Sequence, residues 1–281
     1  MNTRKTAYCL AAFLLLAAAQ TTYAATDIGD DNRYLVQSTK GFWKNTFGVR
    51  HSFDAGFTTD LSDWQLRLAR IAGLKVIPVK KFTILPNLQG PLPSGTGKLD
   101  KRIVPTSPVS WGVQKLSGSS PITKTSGGAG VSVAILDTGA SIDHPDLKNR
   151  IKDCKDFTLP KQAVTDGKCD DKNGHGTHVA GIIAADGGND HRGIYGMAPE
   201  ASLFVYKTCS NSGSCWADDV AAAVRIATDN GARIINMSFG SDGISSLIAD
   251  ATAYAADKGV LLVAAAGNDG FSTPQFGLRS T

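Results

Sequence analysis

From about residue 130 onward, apolar runs of strand length alternate with helical stretches, and this pattern restricts the possible folds more than any other feature. "VSVAILD" at 131–137 is a continuous apolar run of the kind buried on both faces. "HGTHVAGIIAA" reads as helix and "ASLFVYK" as strand. "ADDVAAAVRIATDNG" reads as helix, with acids in its first turn and Asn230-Gly231 to stop it. "ARIINMSFG" (strand), "SSLIADATAYAADKG" (helix) and "VLLVAAAGN" (strand) complete the series. Strict βαβ alternation implies an α/β fold, a parallel sheet with helices on both faces. Ligands in such folds sit beyond the carboxyl ends of the strands. Asp137, Ser238 and Asn268 fall at or just past those ends, along one rim.

The residues before this region follow a different pattern. Within 33–85, "RYLVQST" and "VRHSF" read as strands of a small α+β unit. "LSDWQLRLARIAG" reads as helix, with Ser62 as N-cap, Gln65 closing a capping box and Gly73 ending it. "KVIPVKKFTIL" returns as strand, restricted by Pro78 to an edge or a bulge. "PNLQGPLPSGTGKLDKR" is rich in Pro, Gly and Ser and reads as an exposed linker over 86–105. At the start, Arg4 and Lys5 precede "AAFLLLAAA", with Thr22 and Ala24 at the positions signal peptidase reads. The expected division is signal peptide 1–24, small unit 25–85, linker 86–105 and main domain 106–281.

Removing the signal takes away two positive charges and lowers the formal net charge from +4 to +2. So small a charge gives no electrostatic case for nucleic acid or an anionic membrane as partner. The apolar run is too short to span a bilayer comfortably, so secretion to an extracellular or periplasmic space is expected. Cys9 leaves with the signal, and Cys154, Cys169, Cys209 and Cys215 remain, an even number for an oxidising compartment. Sequence proximity favours Cys154–Cys169 and Cys209–Cys215, one of three possible connectivities. The Cys-x-x-Cys spacing of a zinc cluster is lacking.

Asp137-Thr138-Gly139 closes the first apolar run, and two chemistries use such a carboxylate. An aspartic protease needs two carboxylates that share a proton. One Asp-Thr-Gly occurs here, on a strand that feeds βαβ units rather than an all-β fold. The alternative is a carboxylate that orients a histidine. "NGHGTHVAG" places His175 at a helix start 38 residues later, where an imidazole can meet a nucleophile across a cleft. His175 and His178 stand at i, i+3, but the metalloprotease pattern requires i, i+4 with an adjacent Glu. His178 is therefore expected to be a packing residue.

"ILDTGASIDHPDL", "NGHGTHVAGIIAA", "GIYGMAPEASLFVYK", "INMSFG" and "LLVAAAGNDG" together resemble the subtilisin-like serine proteases in order and spacing, over about 106–270. "FDAGFTTDLSDWQLRLAR" in the small unit resembles that family's inhibitory propeptide, though the usual helix between its first two strands reads as shortened or missing. The chain order Asp, His, Ser is a property of that family rather than a reading of this chain. The resemblance implies a secreted endopeptidase that cleaves internal peptide bonds through an acyl-serine. Asp137 would orient His175, and His175 would serve as general base. Asn268 would donate to the oxyanion. Ser238, Phe239 and Gly240, with Ala265, Ala266 and Gly267, match walls of the first specificity pocket. Ser210, Asn211, Ser212 and Gly213 resemble the loop that pairs with substrate as an added strand. A Cys209–Cys215 bridge would brace that loop.

The resemblance further implies polypeptide substrates, the chain's own propeptide as intramolecular inhibitor, a monomer, and no cofactor for the chemistry. Structural calcium is a family feature; Asp146 matches one ligand position, and Asn189 and Asp190 in "DGGNDHRG" offer further oxygens. Phe239 and Asp269 near the matched pocket suggest a basic side-chain preference. The family's nucleophile lies in a Gly-Thr-Ser-x-Ala segment well beyond the asparagine, whereas 13 residues follow Asn268 here without one. Neither Ser272 nor Ser280 lies in that pattern. The expectation is a truncated precursor with an open sheet edge, inactive as it stands. The rival expectation is a non-catalytic secreted protein acting as protease inhibitor or folding aid through residues 33–85.

Overall fold

The computed structural model describes residues 32–84, 105–118, 122–160, 162–241 and 243–267. In chain order the elements are β1 (Arg33–Val36), α1 (Gly41–Phe47), β2 (Ser52–Phe53), β3 (Gly56–Asp60), α2 (Asp63–Ile71), β4 (Val76–Pro78) and β5 (Lys81–Ile84). Next come α3 (Trp111–Ser117), β6 (Ser132–Asp137), β7 (Ile151–Asp156), β8 (Thr165–Asp166), α4 (His175–Ala184) and β9 (Ser202–Lys207). The last are β10 (Ser214–Trp216), α5 (Ala217–Asp229), β11 (Ile234–Met237), β12 (Phe239–Gly240), α6 (Ser246–Asp257) and β13 (Leu261–Ala264).

The main sheet has the order β13-β11-β6-β9-β7-β8. Its five long strands run parallel and β8 closes one edge antiparallel to β7. Period-2 alternation sorts the central side chains onto two faces. Ala134 and Leu136 of β6, with Phe204 and Tyr206 of β9, face the core built on α5 and α6. Val133, Ile135, Leu203 and Val205 face the second core, with Ala180 and Ala184 of α4. The α/β class with helices on both faces therefore holds. The long strands are parallel as expected, and the two-residue β8 adds an antiparallel edge.

A four-stranded antiparallel sheet, β2-β3-β1-β4, is made from residues 33–78. Tyr34 and Val36 pack against Phe47, Leu66 and Ala69 on its own helices, while Leu35 and Ile77 face the opposite way, into the core shared with α5 and α6. Both faces of this small sheet are covered, one by its own helices and one by the main domain. Gln65 Oε1 accepts from the Ser62 amide at 2.9 Å and the Ser62 hydroxyl at 2.8 Å, holding the start of α2 as the sequence motif suggested.

The helix between the first strands is short, the seven residues of α1, with its end tied by Gly48 N–H to Lys44 O at 2.9 Å. Two expectations need correction. Strand "VRHSF" contracts to Ser52–Phe53, and the longer partner of β1 is Gly56–Asp60, after a tight turn. "KVIPVKKFTIL" is two strands in different sheets: Pro78 ends β4 at a sheet edge, where its missing donor costs no ladder bond. The chain then passes Lys80, whose carbonyl accepts from Ala217 N–H at the start of α5, and enters a second sheet as β5. That sheet is β10-β5-β12, with β5 in the middle.

Four segments end along one rim of the main sheet. Asp137 is the last residue of β6 and Lys207 of β9, Ser238 follows β11, and Ala265–Gly267 follows β13. Ala265 N–H donates to Met237 O at 3.2 Å, which keeps two of these strand ends together. Among the described residues β13 is the edge strand opposite β8, with Leu261 59% and Val263 43% exposed.

Candidate active site

Asp137 is fully buried, and the next amide, Thr138 N–H, donates to its Oδ1 at 2.7 Å. The Asp137 carbonyl accepts from Thr208 and Cys209 N–H at 2.9 and 3.0 Å. The end of β6 is thus locked to the end of β9, and its carboxylate points out of the rim toward α4. His175, the first residue of that helix, meets it: Nδ1 lies 2.8 Å from Oδ1 and 3.0 Å from Oδ2. Donation from Nδ1 leaves Nε2 as the acceptor, the tautomer a general base requires. The side chain of His175 is 21% exposed, against 0% for Asp137. The hydrogen bond to Asp137 raises the imidazole pKa above its ordinary 6.5; burial opposes this, and the charges of Asp137 and Asp171 reinforce it.

Such closeness of helix to strand depends on the residue after the histidine. A Cβ on Gly176 would lie 2.1 Å from Gly139 O and 3.1 Å from the Asp137 side chain, so only glycine fits. Gly176 N–H donates instead to Thr138 Oγ1 at 3.0 Å.

Asp171 was not singled out by the sequence, yet it organises this corner. Its Oδ1 accepts from Asn173 N–H and Gly174 N–H at 2.9 Å and from Thr138 Oγ1 at 3.0 Å. Its Oδ2 accepts from Thr177 N–H at 2.9 Å and Thr177 Oγ1 at 2.7 Å. One carboxylate satisfies amides that the start of α4 would otherwise leave unpaired. An acid shortly before a helix start was the available signal. Lys207, also missed, is buried and donates from Nζ to Thr138 O; burial holds its pKa below the usual lysine value.

His178 is exposed on α4 and is not the packing residue that was expected. The helix turns its small residues, Gly176, Ala180 and Ala184, toward the sheet, and position 178 falls on the opposite face. Among the described residues, the acid-and-histidine grouping close enough to share a cation is His51, Asp218 and Asp219, remote in sequence from His175.

Beside the Asp137–His175 pair runs a cleft that β5 fills. Lys81, Phe82 and Thr83 pair antiparallel with Trp216, Cys215 and Ser214, while Thr83 and Ile84 pair with Gly240 and Phe239. Ile84 N–H donates to Gly213 O at 3.0 Å. Gly213 has φ +84, and a Cβ there would sit 2.6 Å from Ile84 Cγ1. Of the four loop residues proposed to pair with a peptide, Gly213 does so. Ser210, Asn211 and Ser212 form the turn behind it, with Ser210 Oγ 2.8 Å from Ser212 Oγ. Asn173 Nδ2 donates to Asn211 O at 2.9 Å, linking the turn to the segment that leads into His175. On the other side, the Phe239 ring meets Phe82 edge-on at 6.1 Å between centroids. Ser238 Oγ accepts from Asn236 Nδ2 at 2.9 Å. Ala265, Ala266 and Gly267 follow β13 along the same rim, and Asn268 lies outside the described residues, as do Asp269 and most of the linker.

Disulfides join Cys154 to Cys169 and Cys209 to Cys215. The second closes the base of the turn that carries Gly213, and the first ties β7 to the segment leading to Asp171.

The residues considered for calcium are engaged with the protein. Asp146 Oδ2 accepts from Ile194 N–H at 3.0 Å, and Asn189 Oδ1 accepts from Asn149 Nδ2 at 2.9 Å. Asp190 accepts from Arg192 N–H at 3.2 Å. Arg150 lies 3.1 Å from Asp186 in the same loop, so a guanidinium already supplies positive charge there. A cation at this loop would share these oxygens with the hydrogen bonds that they already accept.

A buried carboxylate thus aligns a histidine at the rim of an α/β sheet, near a strand of the same chain that is paired on both sides. Residues 128–279 match the subtilase family, and the chain belongs to it. It is 43% identical over 234 residues to a subtilisin of Bacillus sp. (strain TA39), covering 81% of this chain and 54% of that protein. It is 38% identical over 171 residues to subtilisin Savinase of Lederbergia lenta, covering 61% of this chain and 60% of that protein. Among solved structures, Sphericase aligns with a TM-score of 0.58 at 49% identity, covering 59% of this chain and 55% of that one. The chain thus spans roughly half the length of these relatives.

Proposed function

We propose that this chain belongs to a secreted serine endopeptidase and carries its inhibitory segment, its orienting acid and its general base. The observation that carries this reading is the 2.8 Å contact of His175 Nδ1 with buried Asp137. In the proposed reaction a serine hydroxyl attacks the substrate carbonyl carbon, and its proton passes to His175 Nε2. Asp137 stabilises the imidazolium without taking the proton. His175 then protonates the leaving amine as the C–N bond breaks. Water, deprotonated by the same nitrogen, hydrolyses the acyl-serine. Asn268 is assigned as donor to the tetrahedral oxygen, a role for which loss of one donor costs about 3 kcal/mol.

The serine itself is proposed to come from a Gly-Thr-Ser-x-Ala segment outside these 281 residues. Residues 33–84 are read as the intramolecular inhibitor, because β5 occupies the cleft between β10 and β12 while the four-stranded sheet covers α5 and α6. The two disulfides support an oxidising, extracellular destination.

The test is expression of the complete gene product, with assay of an unstructured protein substrate. His175→Ala should abolish cleavage while leaving the thermal transition in place. Efficient proteolysis by the His175→Ala protein would sink the reading. A second reading, inhibition in trans, is favoured by the docking of residues 33–84. It predicts that this chain, added to an intact relative, slows that enzyme; competition for β5 inside its own cleft predicts little effect.

A further inference from the structure

Strand β5 shows which side chains the cleft accepts and in what register. The pairing of Lys81 with Trp216 is fixed by the β5–β10 ladder, and Lys81 Nζ lies 4.4 Å from the centroid of the indole ring. The same ring carries a second cation: Arg33 Cζ is 4.5 Å from it, and Arg33 Nη1 lies 3.0 Å from Asp219 and 3.3 Å from Asp218. Phe82 and Ile84 lie partly buried against the core, whereas Lys81 and Thr83 are exposed. An entering peptide in the same antiparallel register would therefore place one residue against Trp216. That residue is three positions before the one that pairs with Phe239, as Lys81 precedes Ile84.

We propose that Trp216 is a specificity-determining residue that selects polypeptides with a lysine or arginine at the position Lys81 holds. This deepens the endopeptidase reading and rests on it. The indole face is the negative pole of the ring quadrupole and attracts a cation. Asp218 and Asp219, in the first turn of the helix that follows, reinforce the sign once Arg33 and its neighbours have left. A glutamate at the same position meets the ring face and both carboxylates with the wrong charge.

The experiment uses the complete, matured gene product and three quenched peptides, Xaa-Phe-Thr-Ile-Leu-Ser-Ala with Xaa as Lys, Gln or Glu. The Lys peptide should exceed the Gln peptide in kcat/KM by about two- to fivefold, mainly through KM, with Glu the poorest of the three. Trp216→Leu should remove most of the difference between Lys and Gln, leaving what the two carboxylates supply, and Trp216→Tyr, which keeps a weaker aromatic face, should retain more of it. Equal rates for Lys and Gln in the unaltered protein overturn the proposal, whether or not the variants fold. So does a preference that persists unchanged in Trp216→Leu, since bulk charge would then explain it. Failure to cleave all three peptides would strike the endopeptidase reading itself, an outcome distinct from cleavage without discrimination.

Discussion

As the proposed general base, His175 would work only as neutral imidazole, so its pKa would set where activity begins on the pH axis. Hydrogen bonding to Asp137 raises that pKa, burial opposes, and the Asp137 and Asp171 charges add to the rise. In the complete gene product, kcat/KM should climb through a midpoint above 6.5 as the imidazolium loses its proton. Asp137→Asn removes the leading cause of the rise. Its midpoint should move to lower pH, with kcat down by roughly 10⁴-fold because the wrong tautomer is held. A pH–rate profile checks both, and an unmoved midpoint would contradict the assigned cause. Asp171 acts on the same base through the backbone. Asp171→Ala strands the amides of Asn173, Gly174 and Thr177, and should cost about 1–3 kcal/mol of stability in urea titration. Its effect on kcat should exceed that loss of stability if positioning of His175 depends on it.

Among the elements, the disulfides make the sharpest prediction. Loop closure over 15 residues is worth about 3 kcal/mol, and over 6 residues about 2 kcal/mol. Cys154→Ser with Cys169→Ser should therefore lower stability by the larger amount in denaturant titration. Cys209→Ser with Cys215→Ser should cost less globally but speed hydrogen exchange at the Ile84 amide, whose acceptor sits in the bridged turn. The long apolar runs of β6, β9, β11 and β13 were legible because buried strands leave a continuous signature. Strand β7, "IKDCKD", was not: it lies next to the edge strand, and its mixed burial admits charges that erase the alternation. Strands β5, β10 and β12 are two to four residues long and exist through one another, over separations of more than a hundred residues. No local pattern reports such pairing. The Asp137–His175 pair was legible because glycine-flanked motifs surround it, whereas Asp171 left only the weak signal of an acid before a helix start and Lys207 acts through a backbone carbonyl.

For the whole molecule, a buried ionic node at the start of α5 adds to the apolar and ladder contacts that join residues 33–84 to the main domain. Arg33, Arg50 and His51 converge on Asp219, at 3.0, 2.8 and 2.9 Å, and all are buried. Asp218 shares Arg33 at 3.3 Å, and its Oδ2 is buried with no well-formed hydrogen bond among the described residues. The two carboxylates are therefore unequal. Burial pushes the Asp219 pKa up, but hydrogen bonds from His51 and Arg50 and the charges of Arg50 and Arg33 outweigh it, and the net value is lowered. Its contribution is present above the ordinary carboxylate pKa and is lost as pH falls through the depressed value. Burial and the charge of Asp219 raise Asp218, with the charges of Arg33 and His51 and a hydrogen bond from Thr58 opposing, so its charge costs stability near neutrality and protonation relieves that cost. Asn at each position imitates the protonated acid. Asp219→Asn should cost about 3–5 kcal/mol, the usual penalty for leaving buried partner charges uncompensated. Asp218→Asn should cost far less, or stabilise, because it removes a poorly satisfied buried charge. Urea titration of both variants at pH 7 decides the matter, and equal losses would mean that the two acids share the arginines evenly. Repeated at acid pH, the gap should narrow as Asp219 itself takes up a proton. That result would tie the stability of the join between the amino-terminal unit and α5 to the charge of Asp219.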